Sequence, residues 1–265
     1  MYSTLSDIAL IGRSILTSSL LKPVQTRRWL KPRGFVSDIL SAVGAPWEIQ
    51  RLQNAPHRVV DLYTKSGDLP GYASLLVLIP DWDVGFTILS AGTYPTSSPD
   101  ANIAVLADII ASTLFPTIEA AAREEADAAF SGNYASSNLN LNSSLAITTD
   151  PNIPGLGVIS WISNGTDMLV SPFAGQSIRL YPTGLKTVLA NGDVEIGYRA
   201  VFENPTAETI GGVFSSSCQT WMTVDAEYWG AVAMDEFVVT VGYHGVAKSV
   251  TPRVARVVLE RVGRG

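Results

Sequence analysis

The sequence predicts an α+β protein in which a region of helices and strands is followed by an all-β antiparallel region. Apolar residues recur at helical spacing in residues 1–33 and 99–129. Residues 44–92 instead alternate apolar and polar positions or form short apolar runs, which is typical of strands. After residue 129, short strand-like runs separated by turn residues continue to the end, and they favour a barrel or a sandwich.

The first stretch is predicted to form two helices. Thr4 fits an N-cap position, because Asp7 follows three residues later in the first turn. The second helix should start at Pro23, since proline suits the first helical position. It should run through Leu30 and stop before Pro32.

Strands should follow as an antiparallel sheet. The pattern of residues 45–52 predicts a half-buried strand, and residues 59–64 predict a strand that ends in Lys65-Ser66-Gly67. Residues 75–79 and 84–89 are apolar enough to be central strands, joined by an Asp-Trp-Asp turn.

The longest helical pattern covers residues 99–129, and Pro116 should kink or break this helix near its middle. We place the end of a first domain at residue 128, which gives domains 1–128 and 129–265. In the second domain, Asn191-Gly192 is a strong hairpin signal. The predicted strands there are residues 156–160, 176–181, 193–202, 236–242 and 255–262.

Composition excludes several function classes. A formal net charge of −6 without a run of Lys or Arg argues against nucleic acid and against an anionic membrane surface. No unbroken apolar run approaches the roughly 20 residues that a spanning helix needs, and the first residues do not resemble a signal peptide. A single cysteine, Cys218, with His57 and His244, cannot build a zinc site. No metal or cofactor is expected.

Two tripeptides have the N-glycosylation pattern. They begin at Asn142 and Asn164, both in polar, turn-like sequence. Such tripeptides also arise by chance, so they give only a weak indication of a secreted or extracellular protein, and the location stays open.

The order of the motifs resembles the end of the serine β-lactamase and penicillin-binding-protein fold, in particular class C β-lactamases and related esterases. There a strand carrying Lys-(Thr/Ser)-Gly borders the catalytic cleft, as Lys65-Ser66-Gly67 would here. Residues 2–9 are similar to the segment Gly-Gly-Leu-x-Ser-Thr-x-x-Asp-Leu of these enzymes. The second region resembles the β domain appended to many fungal β-lactamase-like proteins, with landmarks at residues 130–134, 154–156 and 218–221.

The resemblance implies roles for four residues. The Lys65 ammonium and the Ser66 hydroxyl would hold a polar group of the substrate, and Gly67 would let the substrate lie close to the strand. The backbone N–H of Asp68 would be one of two oxyanion donors, each typically worth about 3 kcal/mol of barrier. The Asp68 carboxylate must then point away. Tyr72 and His57, near the same loop, are expected to be packing residues.

The mechanism of that family also needs a Ser-x-x-Lys nucleophile motif and a Tyr-x-Asn loop. The one Ser-x-x-Lys here, from Ser19 to Lys22, is expected to be a loop at the end of a packing helix. We therefore expect the carboxy-terminal part of a hydrolase that cleaves a small ester, amide or lactam through an acyl-serine, and no catalysis by the chain as it stands.

The sequence contains further titratable residues and allows two alternative functions. The adjacent carboxylates Glu124-Glu125 and Asp235-Glu236 are expected to lie on solvated faces, and His244 in a turn. A non-enzymatic short form that binds a partner is the main alternative, and it should self-associate through the apolar face of the sheet, which an amino-terminal half covers in the family. A carbohydrate-binding β module is the last alternative, and it depends on exposure of three tryptophans: Trp161, Trp221 and Trp229.

Overall fold

The structure is a computed structural model that describes residues 3–55, 58–92, 99–204 and 223–263. It is mixed α/β, with three helices and mostly antiparallel sheets among these residues. The chain divides into two compact units, Met1–Ala120 (unit 1) and Ala121–Gly265 (unit 2). The elements of the first part are α1 (Leu5–Leu16), α2 (Pro23–Trp29), β1 (Gly34–Phe35), β2 (Ser41–Val43), β3 (Glu48–Ala55), β4 (Arg58–Leu69), β5 (Tyr72–Ile79), β6 (Val84–Ala91) and α3 (Pro99–Phe130).

Both predicted N-terminal helices are confirmed. Thr4 caps α1, because its side-chain oxygen accepts a hydrogen bond from the Asp7 amide at 3.1 Å. Pro23 is the first residue of α2, and the helix ends at Trp29, one residue before the predicted end.

The sheet of unit 1 is open, and its six strands follow chain order from β1 to β6 with every neighbouring pair antiparallel. Strand β3 starts at Glu48, which lies opposite Thr64 of β4. Residues 65–69 of β4 therefore extend past β3 and pair with β5. We call residues 65–69 the β4 edge.

Helices cover both faces of this sheet, because successive side chains of a strand point to opposite faces. On one face, Leu78 of β5 is buried together with Trp47 and Tyr63, and α1 and α2 pack against this group. On the other face, Val77 and its neighbours pack against Phe115 of α3. This layering leaves the β4 edge at the rim of a covered sheet.

Three strand predictions for unit 1 need correction. The strand predicted for residues 45–52 begins only at Glu48, because residues 44–47 form a turn closed by a 2.7 Å hydrogen bond from the Gly44 amide to the Trp47 carbonyl. Strand β4 does not end at Gly67 but runs on to Leu69. Strand β6 is the outer strand of the sheet and not a central one. The predicted hairpin turn between β5 and β6 is confirmed.

Helix α3 is continuous through Pro116, so the predicted break is wrong, and the alternative, a kink, stays a prediction. Proline removes one intrahelical hydrogen bond, and the neighbouring Phe115 is fully buried against the sheet, which holds the helix next to that point. By length and composition alone, its segment Ala101–Phe130 could cross a membrane, although no unbroken apolar run reaches that length. Core helices of other proteins have the same composition, and Ile103 and Phe115 are used for packing here.

Unit 2 is built on a nine-stranded antiparallel sheet. Its strands run in the order β10, β9, β11, β12, β15, β16, β17, β7 and β8, and β8 also pairs with β9. The strands are β7 (Gly132–Ala135), β8 (Ser144–Thr148), β9 (Leu156–Ser163), β10 (Thr166–Asp167), β11 (Ser177–Val188), β12 (Val194–Glu203), β13 (Tyr228–Trp229), β14 (Val232–Ala233), β15 (Glu236–Val241), β16 (Ala247–Pro252) and β17 (Leu259–Gly263).

All five strands predicted for unit 2 are present, with shifted ends, and the Asn191-Gly192 turn joins β11 to β12 as predicted. The last strand starts at Leu259 and not at residue 255, because Arg253–Ala255 forms a short 3-10 turn that ends at Arg256, with a φ of 53°. Six further strands were not predicted: β7, β8, β10, β13, β14 and β16.

The core of unit 2 is a single cluster of buried side chains centred on aromatic rings. The ring of Trp161 lies 5.8 Å from that of Phe173 and 5.2 Å from that of Phe237, measured between centroids. Trp161 is only 1% exposed, so it cannot present its face to a sugar as a carbohydrate-binding module would require. Trp229 is 70% exposed, and Trp221 lies outside the described residues.

Candidate functional site

The β4 edge carries the four residues that were predicted to form one wall of a site. Lys65, Ser66, Gly67 and Asp68 are all exposed to solvent. Strand β5 pairs with them on one side. Because β3 stops opposite Thr64, the other side of the strand is open beyond that residue. The edge can therefore be approached by another group.

One carboxylate already lies at this edge, and it belongs to Glu48. The Lys65 ammonium donates to Oε1 of Glu48 in a close ion pair. The Ser66 amide donates to Oε2 at 3.2 Å, and the Ser66 hydroxyl donates to the same oxygen at 2.9 Å. Three donors of two consecutive residues thus converge on one carboxylate. This is the pattern of an anion-binding site.

The main chain of Glu48 is fixed on both sides. It pairs with Val43 of β2 and with Thr64 of β4. The Thr64 hydroxyl also donates to the Glu48 carbonyl at 2.6 Å. The preceding residue, Trp47, is buried against Trp29 and Tyr63. These contacts hold the start of β3 in place, so the carboxylate is presented from a rigid support.

The surroundings of Glu48 favour its charged form. Partial burial by itself would raise the pKa of this carboxyl group. The hydrogen bonds from Lys65 and Ser66, together with the positive charge of Lys65, outweigh that effect and hold the pKa of Glu48 below its ordinary value of 4.5. Glu48 is therefore a carboxylate at neutral pH.

Gly67 and Asp68 complete the edge. A Cβ atom at position 67 would lie 2.8 Å from the Ser74 hydroxyl, so a larger residue there would require the Ser74 side chain to move. The amides of Ser66 and Asp68 face the same side of the strand, because residues two apart in a ladder do so. Asp68 lies opposite Ala73, which packs toward α3. Its side chain is therefore on the face opposite that of Lys65, as an oxyanion role for its amide requires.

Other residues near the motif do not join it. Tyr72 is 64% exposed, so the expectation that it packs in the core is wrong. His57 lies outside the described residues. Ser19 and Lys22 lie in the turn between α1 and α2, as predicted, and the Ser19 hydroxyl donates to the Ser14 carbonyl at 3.4 Å.

The two pairs of adjacent carboxylates differ in their exposure to solvent. Glu124 and Glu125 are exposed on α3, as expected. Asp235 is buried, which corrects the prediction of a solvated face: it accepts from Arg199 at 2.8 Å and from the Asp225 amide at 2.8 Å. This pairing is an internal support of unit 2.

Two predictions about modification and metals stand as follows. Asn142 and Asn164 are exposed in neighbouring turns, where the Gly165 amide donates to the Asn142 carbonyl at 2.9 Å. Glycosylation of both remains a prediction. Among residues 3–55, 58–92, 99–204 and 223–263, no group of His, Cys, Asp and Glu could hold a metal ion. Cys218 and the landmark at residues 218–221 lie outside these ranges.

Glu48 is the residue whose role the sequence did not reveal. It follows Pro46 and Trp47, and the sequence Gly44-x-Pro-Trp-Glu also resembles the family, but neither feature indicates a contact with Lys65. Its contact with Lys65 depends on the register of β3 against β4, which spans a separation of 17 residues. A glutamate at the first position of a strand indicates a contact with a Lys-Ser pair only once that register is known.

Comparison with known proteins identifies relatives of this chain. Residues 122–263 match a family model described as the C-terminal domain of "Beta-lactamase-like-like" proteins. A "Beta-lactamase-like protein" of Arthroderma benhamiae is 31% identical over 271 aligned residues, which cover 90% of this chain and 44% of that protein.

Two further relatives are similar over shorter stretches. A "Probable hydrolase M10" of a Phoma species is 30% identical over 64% of this chain and 27% of its own length. A human protein named "Putative beta-lactamase-like 1" is 33% identical over 47% of this chain and 24% of its own length. The chain thus spans less than half the length of these relatives. No solved structure matches it.

Proposed function

The chain belongs to the β-lactamase-like family that carries this C-terminal domain, and from that premise we propose that the β4 edge is the substrate-binding wall of a serine hydrolase site. The substrate class is a small ester, amide or lactam. The observation that carries the proposal is the convergence of the Lys65 ammonium, the Ser66 amide and the Ser66 hydroxyl on one carboxylate. Donors arranged in this way can hold the polar acyl part of a substrate.

Each residue of the edge has a definite task in this proposal. Lys65 and Ser66 orient the substrate, and Gly67 keeps the strand free of a side chain where the substrate lies. The Asp68 amide donates to the oxygen of the tetrahedral intermediate, where one such donor is worth about 3 kcal/mol of barrier. The strand supplies these groups without rearrangement, because β5 holds its other side.

The nucleophile has to come from outside residues 1–265. An attacking serine needs a base within hydrogen-bond reach, and the single Ser-x-x-Lys of this sequence lies in the turn between α1 and α2. We therefore propose that the 265-residue chain alone does not turn over substrate. We also propose a domain boundary at residue 128, followed by a β domain whose sheet curls into a barrel, because β8 and β9 pair with each other as well as with β7 and β11.

The test is Lys65→Ala in a protein that joins this chain to a Ser-x-x-Lys half from a relative. We expect kcat/KM for p-nitrophenyl acetate to fall at least about tenfold, as for the loss of a charged hydrogen bond to substrate. Lys186→Ala is the matched control, because this lysine is exposed on β11 of unit 2. Unchanged hydrolysis in Lys65→Ala would reject the proposal.

A second candidate, a binding protein without catalysis, is favoured by one observation. In unit 1, α3 exposes the apolar side chains of Val105, Leu106 and Ile109 to solvent. In this reading a second copy of the chain covers them. Sedimentation of the chain should then show a dimer that Val105→Lys with Ile109→Lys converts to a monomer. The control is Tyr243→Lys in unit 2, which is 92% exposed. A monomeric starting protein would eliminate this candidate.

A further inference from the structure

The β4 edge carries its own counter-charge. The side chain of Lys65 is 43% exposed and that of Glu48 is 42% exposed, and the two form a direct ion pair. Asp68 adds a second carboxylate two residues beyond Ser66. The formal charge of these three side chains is negative, although the edge presents a lysine. A substrate that reaches the edge does not meet an uncompensated positive charge.

Glu48 also occupies the donors that a substrate carboxylate would need. A carboxylate of a ligand would have to displace Glu48 from both donors of Ser66, or share the Lys65 ammonium with it. Once displaced, Glu48 would remain close by, because its main chain is held by β2 and β4. Two carboxylates near one ammonium repel each other, and such an arrangement costs binding free energy.

We infer that Glu48 makes the site select substrates that present an uncharged ester or amide group at the β4 edge, and reject substrates that present a carboxylate there. The inference rests on the proposed function, since it concerns the same edge. An uncharged carbonyl can accept from the Asp68 amide and from a second N–H of the Lys65 ammonium while the Glu48 pair stays intact. A carboxylate in the same place adds a second negative charge beside Glu48, and the two repel each other.

A purely structural role of Glu48 makes a different prediction. Its main-chain pairings and the bond from Thr64 involve backbone atoms, which Glu48→Gln leaves unchanged. The glutamine keeps the size of the side chain, and its amide oxygen can still accept from Ser66. Glu48→Gln therefore removes the charge and leaves the support of the strand. A change in ligand selectivity in this variant would not follow from a structural role.

The experiment uses the 265-residue chain labelled with ¹⁵N and two probes that differ in one charge. Phenylacetylglycine carries a carboxylate, and its methyl ester does not. Titration of each probe at pH 7 is followed by the amide signals of Ser66 and Asp68. We expect the ester to bind more tightly than the acid to the wild-type chain, and Glu48→Gln to improve binding of the acid about tenfold. Glu125→Gln on α3 is the control, since its glutamate is exposed and lies in unit 2.

The possible results distinguish failure of the inference from failure of the proposed function. If the acid binds the wild-type chain as tightly as the ester and Lys65→Ala abolishes its binding, the inference is overturned and the proposed site stands. If Glu48→Gln leaves the ratio of the two affinities unchanged, the inference is also overturned. If neither probe shifts the Ser66 and Asp68 signals in either form, the proposed function fails and the inference fails with it.

Discussion

The two units of the molecule bury their apolar residues in different ways. Unit 2 has one continuous cluster of buried side chains within its sheet. Unit 1 has three smaller clusters, distributed over the two faces of its sheet. Unit 1 is also the shorter unit, yet eighteen large apolar side chains are exposed in its described part, against twelve in the described part of unit 2. Unit 2 is therefore nearer to a complete globular domain.

The ion pairs of the two units also differ in how far they are buried. In unit 2, Asp235 and Asp193 are buried; Asp235 pairs with Arg199 of β12, and Asp193 pairs with Lys248 of β16. In unit 1, the Glu48 and Lys65 pair is half exposed at the end of a strand. Buried pairs are costly to break, whereas an exposed pair contributes little to the stability of the fold. The charges of unit 2 therefore support its fold, and under the proposed function those of the β4 edge serve binding.

The largest effect should come from the core of unit 2. Trp161→Ala removes a fully buried indole that contacts Phe173 and Phe237. We expect the free energy of unfolding to fall by about 3–5 kcal/mol, because the side chain is lost and a cavity remains. Urea denaturation, monitored by far-UV circular dichroism, measures this change in the free energy of unfolding.

Trp229→Ala is the matched control for this core substitution. Its side chain is 70% exposed in the same unit, so we expect a change below about 0.5 kcal/mol. Similar losses in the two variants would contradict the description of unit 2 as one closed core. They would then also weaken the contrast with unit 1.

An intermediate effect is expected at the adjacent carboxylates of unit 2. Asp235→Ala leaves Arg199 without its buried partner, and we expect a loss of about 3 kcal/mol in the free energy of unfolding. Glu236 pairs with Arg253 at 3.5 Å on the surface, and Glu236→Ala should cost below about 1 kcal/mol. The same denaturation measurement compares them. Equal costs would mean that burial does not distinguish the two pairs.

Local features of the fold could be predicted from the sequence. The Thr4 cap, the start of α2 at Pro23 and the Asn191-Gly192 turn depend on interactions within a few residues, which the sequence displays directly. Strand β5, with its long apolar run, and β12, in which apolar and polar residues are mixed after the turn, were found for the same reason. Family resemblance supplied the motif at Lys65, which composition would not have singled out.

The features that could not be predicted depend on contacts between residues that are distant in sequence. Asp235 and Glu236 look equivalent in the chain, and only the position of Arg199, 36 residues away, places one inside and the other outside. Glu48 meets Lys65 because β3 stops opposite Thr64. Neighbouring strands and turns determine where a strand begins, and here the turn between Gly44 and Trp47 sets the start of β3. The strand pattern of residues 45–52 does not show where β3 begins.

The smallest effect concerns the pH response of the β4 edge. The amide of Ser66 donates to Glu48, so its chemical shift should follow the protonation of that carboxylate. The pKa of Glu48 is lowered by its bonds to Lys65 and Ser66, and we therefore expect a titration midpoint below 4.5 in a ¹H–¹⁵N spectrum recorded between acidic and neutral pH. Because the folded pKa is depressed, the stabilising pair is present above 4.5 and is lost as the pH falls through the folded value.

Lys65→Ala decides whether the lysine causes this shift. The variant removes one hydrogen bond and one positive charge from the carboxylate, so the midpoint of the Ser66 signal should move upward, while Lys186→Ala in unit 2 should leave it in place. A midpoint at or above 4.5 in the wild-type chain would mean that Glu48 is not held by the edge in solution. The edge would then present a free ammonium, and the contrast between the paired charges that support unit 2 and the exposed pair at the β4 edge of unit 1 would no longer hold.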